Sequence, residues 1–192
     1  MKRISITLFL LITIVFAGEI SFAQSSGFYN NSYANRNSGS FQKDISLISA
    51  GFGLVNTNGI SGNALLGPFY VKYEYGILDE IGISAFGGLS IVSRNRDYYT
   101  LTRTAIGFGV MGHYHFNKLI PVHQLDVYAG AGPGFKVRYD NYSRYHDSHA
   151  NTNLIFAAQI GARWYFTKEF AAFAEMGHNG MSHLTLGATF RL

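Results

Sequence analysis

The chain has 192 residues, with 22 Gly, 16 Phe and 13 Tyr against 3 Pro and no Cys: one domain's worth, suited to strands and tight turns. The lack of Cys excludes disulfides, thiolate metal sites and a lipid-modified cysteine. The net charge of +4 comes from 15 Lys and Arg over 11 Asp and Glu, scattered singly, so nucleic acid is not an expected partner.

Residues 1–23 read as a secretory signal peptide. Lys2 and Arg3 supply the positive start, residues 4–16 are apolar apart from Ser and Thr, and Ser21-Phe22-Ala23 offers small residues for cleavage before Gln24. After it, no run of about 18 apolar residues could form a membrane-spanning helix. Residues 24–42 are Ser, Asn, Gly and Tyr with almost no aliphatic side chain, so they are expected to form a flexible periplasmic leader. The remaining domain is taken as 43–192.

A period-two alternation begins at Asp44 and repeats to the C-terminus. A first strand over 44–55 puts Ile48, Ala50, Phe52 and Leu54 on one face and Ser49, Gly51 and Gly53 on the other. A Gly/Asn-rich loop at 56–67 leads to a second strand at 68–75, where Phe69, Val71, Tyr73 and Tyr75 oppose Tyr70, Lys72 and Glu74. After a tight turn at Leu78-Asp79-Glu80, a third strand at 81–92 sets Ile81, Ile83, Ala85, Leu89 and Ile91 against Gly82, Ser84, Phe86 and Gly88.

A charged loop at 93–99 precedes a fourth strand at 100–116. There Ile106, Phe108, Val110, Tyr114 and Phe116 lie opposite Arg103, His113 and His115. The connection 117–123 contains Pro121, which cannot donate to a ladder. A fifth strand at 125–137 sets Val127, Ala129 and Phe135 against Asp126, Tyr128 and Lys136, and 139–152 reads as the longest polar loop.

The sixth strand, 153–166, alternates most cleanly: Leu154, Phe156, Ile160, Trp164 and Phe166 against Gln159, Arg163 and Tyr165. A turn at Thr167-Lys168-Glu169 leads to the weakest strand, 170–177, with Ala172, Ala174 and Met176 opposite Phe173 and Glu175. A short loop at 178–182 precedes the closing strand, 183–192. Its Leu184, Leu186, Ala188, Phe190 and Leu192 share one parity, while Thr185, Gly187, Thr189 and Arg191 share the other.

Eight alternating strands would also suit a soluble sandwich. Three features select a membrane barrel instead. Several strands exceed the five or six residues usual in soluble sheets. The first, third and fifth connections are long and the second and sixth tight, as for external loops and periplasmic turns. Tyr73, Tyr75, Tyr114, Phe116, Trp164, Phe166 and Phe190 all fall at one end of the even-numbered strands, where a periplasmic aromatic girdle would lie. The expected fold is therefore all-β: an eight-stranded antiparallel up-and-down transmembrane β-barrel with a side-chain-filled lumen.

The segment Phe173-Ala174-Glu175-Met176-Gly177, a short loop and then 184–192 resemble the end of small outer-membrane barrels of the OmpX-like and OmpA-transmembrane-domain-like families, in the form common among the Bacteroidetes. The resemblance covers about 44–192. It implies residence in the outer membrane among lipids including lipopolysaccharide, and insertion by the barrel-assembly machinery, which reads the last strand. Leu192 stands where the families end in an aromatic residue.

The inward parity carries Lys72, Glu74, Arg103, Asp126, Arg163, Glu175 and Arg191, a polar network expected to pack as a plug, since a lumen this narrow is filled by side chains. By strand order, Arg163 is expected to reach both Asp126 and Glu175. Arg94, Arg96, Lys136, Arg138 and Arg144 are expected at a basic outer rim facing anionic lipopolysaccharide, diluted by Asp97, Asp140 and Asp147.

Catalytic, metal and cofactor sites are not expected. The lipid A deacylases among eight-stranded barrels carry His-x-Ser-Asn, whereas this chain has His178-Asn179-Gly180-Met181-Ser182-His183. His146 and His149 supply only two imidazoles on a loop, and His113 and His115 share an inward face with no third ligand placed beside them. A monomeric, non-enzymatic outer-membrane barrel with a structural or surface-binding role is the expected function, with a lipid A-modifying enzyme or a narrow channel as the alternatives.

The lipid-facing parity of the closing strand has a direct test. Ala188→Arg, nearer the bilayer midplane, is expected to cost about 2–4 kcal/mol and Phe190→Arg, nearer the interface, about 0–1 kcal/mol, both read from urea-dependent refolding into liposomes.

Overall fold

A computed structural model describes residues 40–55, 57, 63–96, 99–120, 122–142 and 147–192. Eight strands follow one another: β1 (Ser46–Gly53), β2 (Asn63–Gly76), β3 (Ile81–Arg96), β4 (Tyr99–His115), β5 (Leu125–Tyr142), β6 (Asp147–Tyr165), β7 (Phe170–His178) and β8 (Leu184–Arg191). Each pairs antiparallel with its sequence neighbours, and β8 returns to β1, so the sheet closes and has no edge strand around its girth.

The register fixes the shape. From Ala50, hydrogen-bonded partners lead forward through Val71, Gly87, Phe108 and Phe135 to Leu154 on β6. In the other direction they lead through Ala188 and Ala172 to Trp164 on the same strand. One circuit therefore slips by ten residues along β6, which tilts the strands by about 35–45° and leaves an interior only wide enough for side chains.

The alternation sorts the two faces as the sequence implies. Val71 is 56% exposed and Lys72 1%; Ile160 is 52% exposed and Arg163 0%. On β8, Leu186 and Phe190 face outward while Thr185 and Thr189 are buried, with the Thr189 hydroxyl 2.8 Å from that of Ser49 across the closing seam. Inside, Tyr70, Phe86, Met111, Ala157 and Phe173 form an apolar layer.

Three connections differ from expectation. The polar stretch 139–152 is not a loop: β5 runs to Tyr142 and β6 starts at Asp147, paired residue by residue through Arg138↔Asn151 and Asp140↔His149. The charged stretch 93–99 is likewise absorbed, with Arg94↔Leu101 and Arg96↔Tyr99 in register, and β2 begins at Asn63 within the expected loop 56–67. A hairpin ladder satisfies its own backbone groups whatever its side chains are. Side-chain polarity there says nothing about where the strands end.

The barrel is consequently lopsided. β3 to β6 contain 16, 17, 18 and 19 residues, whereas β1, β7 and β8 contain 8, 9 and 8. Pairing of β6 with β7 begins only at Ala158, so residues 147–157 have no partner on that side among the described residues. At about 3.3 Å per residue this leaves roughly 35 Å of free edge.

Packing inside the tilt-limited lumen is close enough to predict contrasting effects of two Gly→Ala changes. A Cβ on Gly161 would stand 2.6 Å from Tyr128 Cζ, whereas one on Gly112 would meet nothing within 4 Å. Gly161→Ala is expected to destabilise by about 1–3 kcal/mol through overpacking and Gly112→Ala to stay within about 0.5 kcal/mol of wild type, both measured by urea unfolding in micelles.

Candidate functional site

The inward-facing charges meet because consecutive strands bring alternate residues to the same height. Asp126 and Arg163 are direct cross-strand partners on β5 and β6. Arg163 Nη1 donates to Asp126 Oδ2 at 2.8 Å, and its Nη2 donates to Glu74 Oε2, so one planar guanidinium joins two carboxylates. His115 completes a ring: Nδ1 lies 2.7 Å from Asp126 Oδ1 and Nε2 lies 2.7 Å from Glu74 Oε1. These four side chains are fully buried.

Glu175 does not join them. It is bonded by Lys72 and accepts from the Tyr128 hydroxyl at 2.6 Å, so the expected contact between Arg163 and Glu175 is replaced by one between Arg163 and Glu74. Tyr128 separates the two groups and touches both cations. Its ring has Arg163 Cζ at 4.1 Å and Lys72 Nζ at 4.8 Å from the centroid. Strand order favours Glu175, on the strand next to β6, over Glu74 on β2, but Glu175 is level with Gly161 and Arg163 with Phe173. The choice is made by height along the tilted strands, which the register alone supplies.

Two residues assigned to the polar network lie elsewhere. Arg103 is bonded by Asp140 near the long-strand end. Arg191 sits at the opposite mouth, where its guanidinium donates to the Ser40 carbonyl and lies 4.6 Å from the Tyr165 ring centroid.

The lumen is stoppered at both ends by segments whose role the sequence did not announce. At the short-turn end Phe41, within the expected leader 24–42, is fully buried and clusters with Ile45 and Leu47. Residues 40–42 are thus part of the barrel, while 24–39 lie outside the described residues, as does the expected signal peptide 1–23. The tract also holds Phe28, Tyr29 and Tyr33, so the one available signal was position: Phe41 is the last aromatic before the alternation begins at Asp44.

At the other end the β7–β8 loop folds inward. Met181 is 1% exposed, and its side chain lies where Cβ atoms on Gly88 and Gly107 would stand, at 2.9 and 3.0 Å. Asn179 Oδ1 accepts from the backbone N–H groups of Met181 and Ser182 and holds that loop in place.

The basic rim is only partly assembled on the described residues. Lys136 is 5% exposed, which places it inside the lumen and not on the rim. Arg94 and Arg138 are half-buried on the inward parity of the long strands. The side chains of Arg96 and Arg144 lie outside the described residues, as do those of His146 and His149.

The aromatic residues at the short-turn end form a discontinuous outward ring. Tyr73, Tyr75, Tyr114, Phe166 and Phe190 are exposed, and Phe116 and Trp164 are half-exposed. Phe170 joins them, stacked on Phe166 at 6.3 Å. The hydroxyls of Tyr73 and Tyr75 reach Ser46 Oγ and Asp44 Oδ1 at 3.1 and 2.9 Å, turning the polar end of each ring toward that mouth.

The serine flanked by histidines is occupied by turn formation. Ser182 is buried, and its hydroxyl donates to the Leu184 carbonyl at 2.7 Å. His183 Nδ1 lies 3.0 Å from the Gly177 carbonyl oxygen, and its ring is 5.5 Å from that of His178. In the lumen, His113 Nε2 is paired with Ser84 Oγ at 2.8 Å.

Fold and lumen together define a closed, side-chain-filled, eight-stranded β-barrel. No family model matches the sequence, and no curated protein matches it. Its fold is similar to that of Ail, the attachment invasion locus protein of Yersinia pestis, with a TM-score of 0.55 and 16% identity over 79% of this chain and 100% of that one. The same protein in complex with the heparin analogue sucrose octasulfate gives 0.55 and 14% over the same shares. The N-terminal β-barrel domain of Pseudomonas aeruginosa OprF gives 0.52 and 17%, covering 79% of this chain and 98% of that domain. At these identities the likeness is one of fold: the small eight-stranded barrel.

Removing the guanidinium would strand two buried carboxylates. Arg163→Met is expected to cost about 3–5 kcal/mol, seen as a lowered urea midpoint of the refolded barrel.

Proposed function

We propose that this protein is a non-enzymatic integral outer-membrane barrel that works at the cell surface, as a binding or adhesion platform carried on the prolonged β3–β6 ribbon. The observation that carries this reading is the edge of β6 at 147–157, which no described residue pairs on the β7 side, beside three similarly prolonged strands. An unpaired edge offers backbone donors and acceptors to a partner strand, and side chains on either face add selectivity.

The membrane setting is supported by the wall. Leu154 is 72% exposed, Phe156 67%, Phe166 56% and Val110 56%, an apolar belt that water would not tolerate as a free surface. In a bilayer the same belt needs no cover, and around the closed girth each strand is paired on both sides. Lipopolysaccharide phosphates are the anions such a ribbon would meet, and its mouth carries Arg94, Arg103 and Arg138 among the described residues. A heparin analogue bound to Ail, a barrel of similar fold, is in keeping with anion binding at such a surface.

A channel is disfavoured because the bore is occupied by paired charges and stoppered at both mouths. A lipid A hydrolase is disfavoured because the Ser182 hydroxyl is directed at a carbonyl.

The test removes the ribbon and keeps the barrel. Residues 94–101 and 139–150 are each replaced by an Asn-Gly turn, and cells carrying either form are compared for binding to immobilised extracellular-matrix and serum proteins. The trimmed protein is expected to remain heat-modifiable on a gel and to lose most of the binding. Equal binding by both forms would overturn the reading.

A further inference from the structure

The polar core ends, at the short-turn mouth, on a histidine whose hydrogen bonds fix its proton count. Both ring nitrogens of His115 face carboxylate oxygens at 2.7 Å. An ionised carboxylate only accepts, so each nitrogen must carry a proton. The two carboxyls are kept ionised by Arg163, which bonds the second oxygen of each.

Charge balance leads to the same conclusion. Glu74, Asp126 and Glu175 bring three negative charges into the buried core, and Lys72 and Arg163 bring two positive ones. A cationic His115 makes the group neutral, where an odd buried charge would carry a heavy desolvation cost. The remaining groups facing the ring are uncharged. Tyr128 lies at 5.4 Å between centroids, and His113, bonded to Ser84, lies at 6.3 Å.

Over the open face of that ring lies Phe41. The two rings are parallel within 3°, with centroids 3.5 Å apart, the arrangement in which an aromatic face attracts a cation. The segment that carries Phe41 is fastened on every side. Asn117 Nδ2 donates to the Phe41 carbonyl at 2.8 Å and to that of Asp79 at 2.7 Å. Arg191 bonds the Ser40 carbonyl, and the Lys43 N–H donates to Asp79 Oδ1 at 3.0 Å. Asp44, at φ 64°, turns the chain so that its N–H meets the Gly76 carbonyl at 2.9 Å and the segment enters β1.

We propose that residues 40–45 form a lid on the short-turn mouth, and that Phe41 seals beneath it a proton-binding site in which His115 is an imidazolium held between Glu74 and Asp126. The lid and its seat are complementary. The cation gives the aromatic ring a reason to dock, and the ring keeps water from the N–H groups. Loss of the ring exposes a charged cluster to the solvent on that side without breaking any strand pairing. This device is independent of what the ribbon binds.

The test uses the full chain, labelled with 15N-histidine and refolded in micelles at neutral pH, with resonances assigned by their loss in His115→Gln. In the wild type, two ring N–H signals are expected from His115, both exchanging slowly with water. In Phe41→Ala, with the heat-modifiable gel shift retained, both should exchange faster by about tenfold or more, since protection reports the free energy of local opening. Phe41→Leu, which refills the mouth without an aromatic face, is expected to show the same change to a smaller degree and carries the test if the alanine variant fails to fold. A single ring N–H on His115 in the wild type would overturn the proposal. So would wild-type exchange rates in whichever folded Phe41 variant is measured.

Discussion

Narrowness governs this molecule. Eight strands closed with a ten-residue slip enclose a bore with room for side chains and little else. Every inward position must therefore be either small or paired. The apolar layer of Tyr70, Phe86, Met111 and Phe173 meets that condition by packing. The charged layer meets it by mutual neutralisation, with Arg163 bridging Glu74 and Asp126 and Lys72 bonded to Glu175. The aqueous exterior of an ordinary globular protein and its dry core have changed places: aliphatic residues line the outside, and the ionised groups are interior.

The same narrowness explains why short segments suffice as stoppers. Phe41 covers one mouth and Met181 the other, each a single side chain delivered by a hydrogen-bonded turn. A wider barrel would need a domain for that task. Both segments also tie together strands that are remote in sequence: Asn117 reaches the Phe41 carbonyl, and Thr57 reaches the Gly180 carbonyl at 3.0 Å.

Strand number, parity and closure were legible because a period of two with one apolar face is a constraint that every residue in the wall obeys. Arg163 and Asp126 could be paired from strand order, since they sit on adjacent strands. Glu74 could not, because it reaches Arg163 across the bore, from β2 to β6. The extent of the strands beyond the wall was hidden for a different reason. At 139–141 and 150–152 the side chains are exposed or half-buried, and the backbone pairing continues past the apolar wall. Phe41 was hidden in a tract whose composition argues against burial, where one aromatic side chain outweighs its neighbours once a cavity of the right size is waiting.

The unequal strand lengths bear on how the cylinder forms. Hairpins β3–β4 and β5–β6 join residues close in sequence along long ladders, so they gain many hydrogen bonds for little loss of chain entropy. The seam between β1 and β8 is the reverse. It is among the shortest ladders, and it joins Ser49 to Thr189, 140 positions apart. Formation of the seam must wait until the other strands have brought its two sides within reach, because long-range contacts repay their entropy only when little chain remains free. The barrel is thus a sheet that grows from its tall side and is zipped last along its low one.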